Sequence, residues 1–474
     1  MRMRLNETAC LISFLMIGST AALSNDNPGP LEGQIAVSSS YKVLRFDENY
    51  FSLGSSESHT DLFDEVKYIP LQARDSSWYL TMGGEIRERF EAVRNPDFGI
   101  EAAHDSYWLQ RITVLADVHL GPRVRVFVEA ISGLIAGEDQ PAPPPQDDPI
   151  DLQFAFVDLI PYLDGNGSLT LRIGRFGMSL GSGRLVATRA SPNIPFKFDG
   201  AEILYRNPSW EATAFACRPA KEDPDQFDST DTGVAFWGVY TTHWFTLERQ
   251  SGIDIYYLGI EREHGSYASG EGHEHRHSVG LRCFGTRRGW DWNTEAVVQG
   301  GSFRDQTILA WTASLDSGYT WSSVPGRPRV GLKVDAASGD ADLHDGRQGT
   351  FDALFFKSGY FNDASLIRPA NIIDVHPNVA INLTKSISIN GGVDVFWRYS
   401  NEDAVYGPPG FVSLPALSNQ SRYLGSAVDL NLQWQVQRHV TVLASYVHFF
   451  TGRYVHAAGG SDVNYVSTTL SFLF

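Results

Sequence analysis

The chain has 474 residues, 44 of them glycine and only 5 methionine, with 12% aromatic side chains, a balance that suits many strands and tight turns better than helices. Its formal charge of −17 argues against a nucleic-acid partner. A mean hydropathy of −0.20 excludes a bundle of membrane helices, but not a barrel, in which one face of each strand is polar.

Arg2 and Arg4 open the chain, Ala9–Ile17 is a short apolar run, and Ser19-Thr20-Ala21-Ala22 supplies small residues. This is the layout of a signal peptide, assigned to 1–24. The run is too short to span a bilayer as a helix, and Cys10 comes too early in it for a lipid anchor. A polar lead-in, 25–77, follows, with the runs LRFDENY from Leu44 and KYIPL from Lys67. It is expected in the periplasm or partly folded into a barrel mouth.

From Trp78 onward the chain alternates apolar and polar residues. Strands are predicted near 79–93, 105–120, 122–135, 152–162, 167–177, 198–206, 209–218, 232–241, 252–262, 276–287, 289–302, 306–321, 327–338, 372–384, 386–399, 420–435, 438–451 and 463–474. That is about eighteen, and bacterial single-chain barrels have even counts. Every second connection is short, as at Gly121-Pro122, Asn207-Pro208 and Lys385, while those between are mostly long, as at 137–149, 178–197, 339–370 and 401–419. This parity is the outer-membrane pattern of periplasmic turns and external loops. Two connections break it, a long one at 242–252 and a short one at 303–305. The fold class is therefore all-β, a single antiparallel transmembrane barrel of about eighteen strands over 78–474.

The last strand is expected to close it. Val466, Thr468, Leu470 and Phe472 share one face, and Tyr465, Ser467, Thr469 and Ser471 the other. A terminal strand with an apolar face is an aggregation hazard in water, but closes a barrel in lipid without leaving an edge.

Several clusters carry no chemistry. His264, His273, His275 and His277 fall in a predicted outer loop, 263–274 and its flank, where a solvated loop is preferred to a metal site. The acidic loops lack the D-x-D-x-D-G order of a calcium loop. Pro141–Pro145 reads as a stiff loop piece. Cys217 and Cys283 fall on non-adjacent strands, so no disulfide is expected. No nucleophile motif appears. No metal, cofactor or enzymatic activity is expected.

Alternation sorts the lumen face. Arg111, Asp117 and His119 oppose Ile112, Val114 and Val118, and Arg123, Arg125 and Glu129 oppose Val124, Val126 and Val128. Arg172 opposes Leu171 and Ile173, Arg329, Lys333 and Asp335 oppose Val330, Leu332 and Val334, and Asp394 and Arg398 oppose Val393 and Val395. Glu85, Arg87, Arg89 and Glu91 share a face of the first strand. A basic side chain at mid-membrane on the lipid side costs about 2–4 kcal/mol, so these faces turn inward. The inward set is richer in base than in acid, which favours an anion path. The bland reading is that each Arg pairs with a neighbouring carboxylate and braces the wall.

Three stretches together resemble the alginate-export family of outer-membrane barrels: KYIPL with WYLTMGGEIRERFE (Trp78–Glu91), LRIGRFGMSLGSGRLVATRASPNIPFKFDG (Leu171–Gly200), and FDALFFKSGYF (Phe351–Phe361). The resemblance implies an eighteen-stranded barrel that exports an acidic polysaccharide through an arginine-lined pore. By position it carries the family's basic residues onto Arg87, Arg89, Arg172, Arg175, Arg184 and Arg189. The expected function is a passive, anion-selective outer-membrane channel for an alginate-like polyuronate. A porin for small acids or sugars is the alternative, and a barrel enzyme a remote third. Expected partners are the polysaccharide and outer-membrane lipid and lipopolysaccharide, with room for periplasmic export machinery. The chain is expected to be a monomer.

Overall fold

The computed structural model describes residues 41–54, 61–100, 102–138, 144–408, 410, 412–417 and 421–474. The signal peptide, Cys10 and most of Pro141–Pro145 lie outside the described residues. The wall is built from β1 (Trp78–Arg94), β2 (His104–Leu120), β3 (Val124–Ala136), β4 (Asp148–Asp164), β5 (Gly167–Phe176) and β6 (Phe198–Arg206). It continues through β7 (Trp210–Lys221), β8 (Val234–Trp244), β9 (Ser251–Tyr267), β10 (Gly270–Arg287), β11 (Trp290–Phe303) and β12 (Gln306–Thr320). It ends with β13 (Arg329–Ala337), β14 (Ile372–Asn382), β15 (Ile387–Arg398), β16 (Tyr423–Gln437), β17 (Val440–Thr451) and β18 (Val463–Leu473). Each strand pairs antiparallel with the next, and β18 returns to β1, from Glu85 opposite Leu473 to Arg94 opposite Asn464. The result is a closed eighteen-strand antiparallel barrel, as the alternation predicted.

The molecule is apolar outside and charged inside. On β18, Val466 and Leu470 stay 41% and 46% exposed, while Tyr465, Ser467 and Thr469 are buried in the lumen. The same split recurs around the wall: Val114, Ile173, Val279, Leu309, Val330 and Val379 are exposed, whereas Arg111, Arg172, Ser278, Thr312, Arg329 and Asn378 are buried. Exposed apolar side chains on every sector are what a lipid-facing belt requires. No described helix is long and apolar enough to cross a membrane.

Closure is sealed at the chain end. Gly84 donates to the Phe474 carbonyl at 3.0 Å and Phe474 donates back at 3.1 Å. A Cβ at Gly84 would lie 2.3 Å from the Thr113 carbonyl and 3.1 Å from the Phe474 ring, so only glycine lets the strands meet there. The lead-in reinforces the seam from within. Arg45 donates to the carbonyls of Gly84 and Phe474, and the Phe46 ring packs edge-on against Phe127, Phe154 and Phe156. Lys67, on the short helix α1 (Asp64–Lys67), is buried beside Arg45. Burial first, and then Arg45, bring its ammonium down to about 7.

The predicted outer loop at 263–274 is not a loop. β9 and β10 run on to a tight turn at Ala268-Ser269, with the register shifting in a bulge between Arg262 and Gly265 and the alternation resuming at Gly265 and through Glu274 and Arg276. His264 and His273 are exposed on these strands. His275 and His277 lie on their outer face beside Trp237, with Tyr257 Oη bonded to His277 Nδ1 at 2.7 Å. The tight turn at Arg304-Asp305 is also real. Cys217 on β7 and Cys283 on β10 are both free.

Candidate conduction path

Two long connections turn inward. Residues 177–197, between β5 and β6, cross the lumen. Arg184 reaches Asp335 on β13 and Thr312 on β12, and Ser182 reaches Glu295 on β11. Residues 338–371, between β13 and β14, bring Phe351, Leu354, Phe355, Phe356, Tyr360 and Phe361 into one buried apolar cluster with wall residues including Phe198, Phe236 and Phe396. The two segments touch: Val186 and Phe355 form a parallel bridge.

The inward basic residues sort by what they hold. Arg89 pairs with Glu91, Arg125 with Asp117 at 2.7 Å, Arg172 with Asp158 at 2.8 Å, Arg175 with Asp199 at 2.7 Å and Arg329 with Asp291 at 2.6 Å. Arg184 pairs with Asp335 and Arg189 with Glu222. Lys333 donates to the Tyr360 carbonyl at 2.8 Å and lies 3.6 Å from Asp335. Arg398 is bound by the carbonyls of Asn401, Leu417 and Ser421.

Arg87 and Arg111 are different. They are direct partners across β1 and β2, a placement that sets like charges against each other. Arg87 donates to the carbonyls of Ala190 (2.8 Å) and Pro192 (3.0 Å) and to Asn193 Oδ1 (3.1 Å). Arg111 shares the Ala190 carbonyl at 3.3 Å and has one carboxylate, Glu85, at 3.0 Å. Asn193 is anchored in turn by donating to the carbonyls of Gln110 and Leu134. The turn at 190–193 therefore lies on the arginine pair with its carbonyls aimed at them.

Sequence sorting missed part of this interior. Arg276 and Arg282 on β10 and Arg262 on β9 also face inward, onto Glu274, Asp254 and Asp352. The sign was present: Arg276, Ser278, Gly280 and Arg282 alternate with His277, Val279 and Leu281. All three fall within the predicted strands 252–262 and 276–287, whose faces were not sorted. Inward acids were missed as well, including Glu202, Glu211, Asp254, Glu295 and Asp374. With them counted, the surplus of base does not extend to the wall as a whole.

In the second inward segment, Asp340 lies beside Asp403 of the loop between β15 and β16, whose Oδ2 accepts from the Asp340 N–H at 2.8 Å. Burial, and then the Asp403 charge beside it, push the Asp340 carboxyl up to about 6.

The alginate export family model matches residues 78–469. No curated protein matches the chain in sequence. Among solved structures, OccK2 (OpdF) of Pseudomonas aeruginosa, crystallised with glucuronate, is 11% identical with a TM-score of 0.57, over 83% of this chain and 98% of that one. OccAB4 of Acinetobacter baumannii gives 11%, 0.56, 83% and 98%. A BenF-like porin of Pseudomonas fluorescens Pf-5 gives 9%, 0.57, 83% and 99%. At these identities the likeness is one of fold, the outer-membrane porin barrel.

Proposed function

Because the chain belongs to the alginate export family and is an outer-membrane barrel channel, we propose that it passes an acidic polysaccharide outward, with carboxylates handed along the inward arginines. One observation carries the reading. Arg87 and Arg111 face each other; among the described residues the carboxylate ion-paired to them is Glu85, on Arg111, and their other hydrogen bonds go to the neutral carbonyls of residues 190–193. A uronate carboxylate is a stronger acceptor than a carbonyl and matches the guanidinium fork. When the segment 177–197 withdraws, a polyuronate takes the carbonyls' place at these two residues. Arg89, Arg125, Arg172, Arg175, Arg184, Arg189, Arg329, Lys333 and Arg398 then form a path of partly neutralised cations. Attraction on it is spread out and weak, as release of the chain requires.

The test is conductance of the folded protein in planar bilayers under a salt gradient, with polyuronate or a neutral glycan added. The expected result is an anion-selective pore blocked by polyuronate only, with the block weakened in Arg87→Gln and Arg111→Gln. A cation-selective pore overturns the reading.

The second reading is a porin for small acids or sugars. It is favoured by the glucuronate complex of OccK2, which has the same fold. Deletion of the protein then slows growth on uronic acids and leaves polymer secretion intact, whereas a secretion defect excludes it.

A further inference from the structure

The inner face of β14–β16 carries a cluster that the conduction path does not use. Val375 on β14 pairs with Val395 on β15, which sets His376 beside Asp394. The imidazole Nδ1 lies 3.0 Å from Asp394 Oδ1, and Nε2 lies 3.3 Å from Asp429 Oδ1 on β16. It reaches across β15 because residue 392, paired with Asp429, is glycine: a Cβ there would lie 2.1 Å from His376 Nε2. Ligand atoms of His376, Asp394 and Asp429 all fall within 4.8 Å of one another, and all three residues are buried. Asp374 stands on the same face two residues before His376. It is 0% exposed, and neither of its oxygens has a hydrogen-bond partner.

The charges around this cluster do not balance. The charged groups around Asp374 are Asp394, Lys333, Asp335 and His376. Lys333 is turned to the Tyr360 carbonyl and Asp335, and Arg184 also serves Asp335. Asp394 and Asp429 share one imidazole; Asn362 of the inward segment donates to Asp394 Oδ2 at 3.1 Å and Asn431 to Asp429 Oδ2 at 2.9 Å, while Asp374 accepts from neither. A second acid cluster in the wall shows the usual solution. Asp148, Asp151 and Asp228 converge in the same way, but there the Lys197 ammonium sits among them, 2.7 Å from Asp228 and bonded to Asp151. Buried carboxylates need such a cation; at the β14–β16 cluster the nearby Lys333 acts on Asp374 and Asp394 but is bonded to the Tyr360 carbonyl and lies 3.6 Å from Asp335.

We propose that this cluster binds one divalent cation of the zinc class, through one nitrogen of His376 and one oxygen each of Asp394 and Asp429, whose two carboxylates balance its charge, with Asp374 beside them on the Lys333 side. Imidazole with carboxylate oxygens is a donor set for zinc-like ions rather than for calcium or magnesium. The cation joins β14, β15 and β16 beside Asn362, and so stiffens the wall where the second inward segment rests. Because His376 ligates only when neutral, binding releases a proton and weakens as the pH falls.

The experiment uses the full chain folded in detergent and stripped with EDTA. Zn2+ is titrated against a chromophoric chelator, and Co2+ serves as a spectroscopic probe. One cation per chain is expected, with a Co2+ visible spectrum of low-symmetry nitrogen–oxygen coordination and affinity falling toward acid pH. His376→Gln and Asp429→Asn each weaken binding roughly tenfold or more, while Asp148→Asn at the lysine-filled cluster leaves it unchanged. No stoichiometric binding by the wild type at micromolar free Zn2+ overturns the proposal, as does unaltered binding in folded His376→Gln. If the variants do not fold, X-ray absorption at the zinc edge of the wild type decides, and a shell without a histidine nitrogen overturns the proposal.

Discussion

The two inward segments share one apolar cluster in the lumen, to which Met178, Leu180, Leu185 and Val186 also belong, but they meet the wall's arginines differently. Residues 177–197 lay their polar ties on the arginines and their partners, with Arg184 on Asp335, Arg189 on Glu222 and the 190–193 carbonyls on Arg87 and Arg111. Residues 338–371 supply the larger share of the aromatic packing, with Phe355 edge-on to Phe198 at 5.0 Å and Phe361 edge-on to Phe396 at 5.2 Å, beside the pairing of Asp352 with Arg262. A passing polyanion competes directly for guanidinium groups but has nothing to offer a phenylalanine cluster. On the proposed function, the first segment is the part a polyuronate would displace, and the second the filler that sets how much lumen remains.

Removing the filler tests that division most severely. Replacing Phe351–Phe361 by a short Gly/Ser linker should raise single-channel conductance several-fold while leaving the polyuronate block at Arg87 and Arg111 in place. Unchanged conductance would mean that the segment does not obstruct the path. Within the cluster, Phe355→Ala should cost about 3–5 kcal/mol of folding stability through lost packing, read by thermal or denaturant unfolding.

For the charged segment the comparable change is Arg184→Met. It leaves the buried Asp335 with only the Tyr360 hydroxyl at 3.0 Å and Lys333 at 3.6 Å among the described residues, and should cost up to the about 3–5 kcal/mol of a broken buried pair. The double change Arg184→Met with Asp335→Leu should recover most of that loss, because an apolar pair replaces a buried ion pair at little net cost. The double variant should still gate more loosely, seen as more frequent open events. If the double variant remains as unstable as the single one, the tie is not electrostatic.

The wall was legible in the sequence and the lumen only partly so. Alternation depends on each strand's own residues, and the lipid face tolerates few charges, so Val114, Val330 and Leu470 announce their side unaided. What fills a barrel depends on contacts between residues far apart in the chain. Nothing in FDALFFKSGYF itself says that it turns inward rather than outward, since an apolar run in an external loop has the same letters. The arginines were visible, but their partners were not: Arg184 meets Asp335 across 151 positions. A pairing at that range leaves no periodic trace. The His376 cluster was hidden for the same reason, as three strands each contribute one ligand and the space comes from Gly392.

A smaller change separates the wall from the aromatic filler. Asn362→Ala removes one hydrogen bond to Asp394 and should cost about 1.5–3 kcal/mol, the range for bonds to charged groups. Its effect on unfolding should be less than that of Phe355→Ala if packing, rather than this polar tie, dominates.

Acidity distinguishes the segments most gently. Asp340 begins the second segment, and its carboxyl is pushed from the ordinary 3.8 up to about 6 by burial, with Asp403 and Asp345 adding their charges. Asp403 is raised as well, by burial first. The packed segment therefore holds protons that it would release if it swung into water. By linkage, packing gains as the pH falls from about 6 toward 3.8 and loses as the pH rises through that window, with no further change from Asp340 above it. Limited proteolysis within 338–371 should accordingly slow as the solution is acidified over this range, while cleavage within 177–197 should not follow the same curve. Asp340→Asn with Asp403→Asn should flatten the response. An unaltered pH dependence in that variant would shift the cause to groups outside this pair, and cleavage that speeds with acid would reverse the assigned sign.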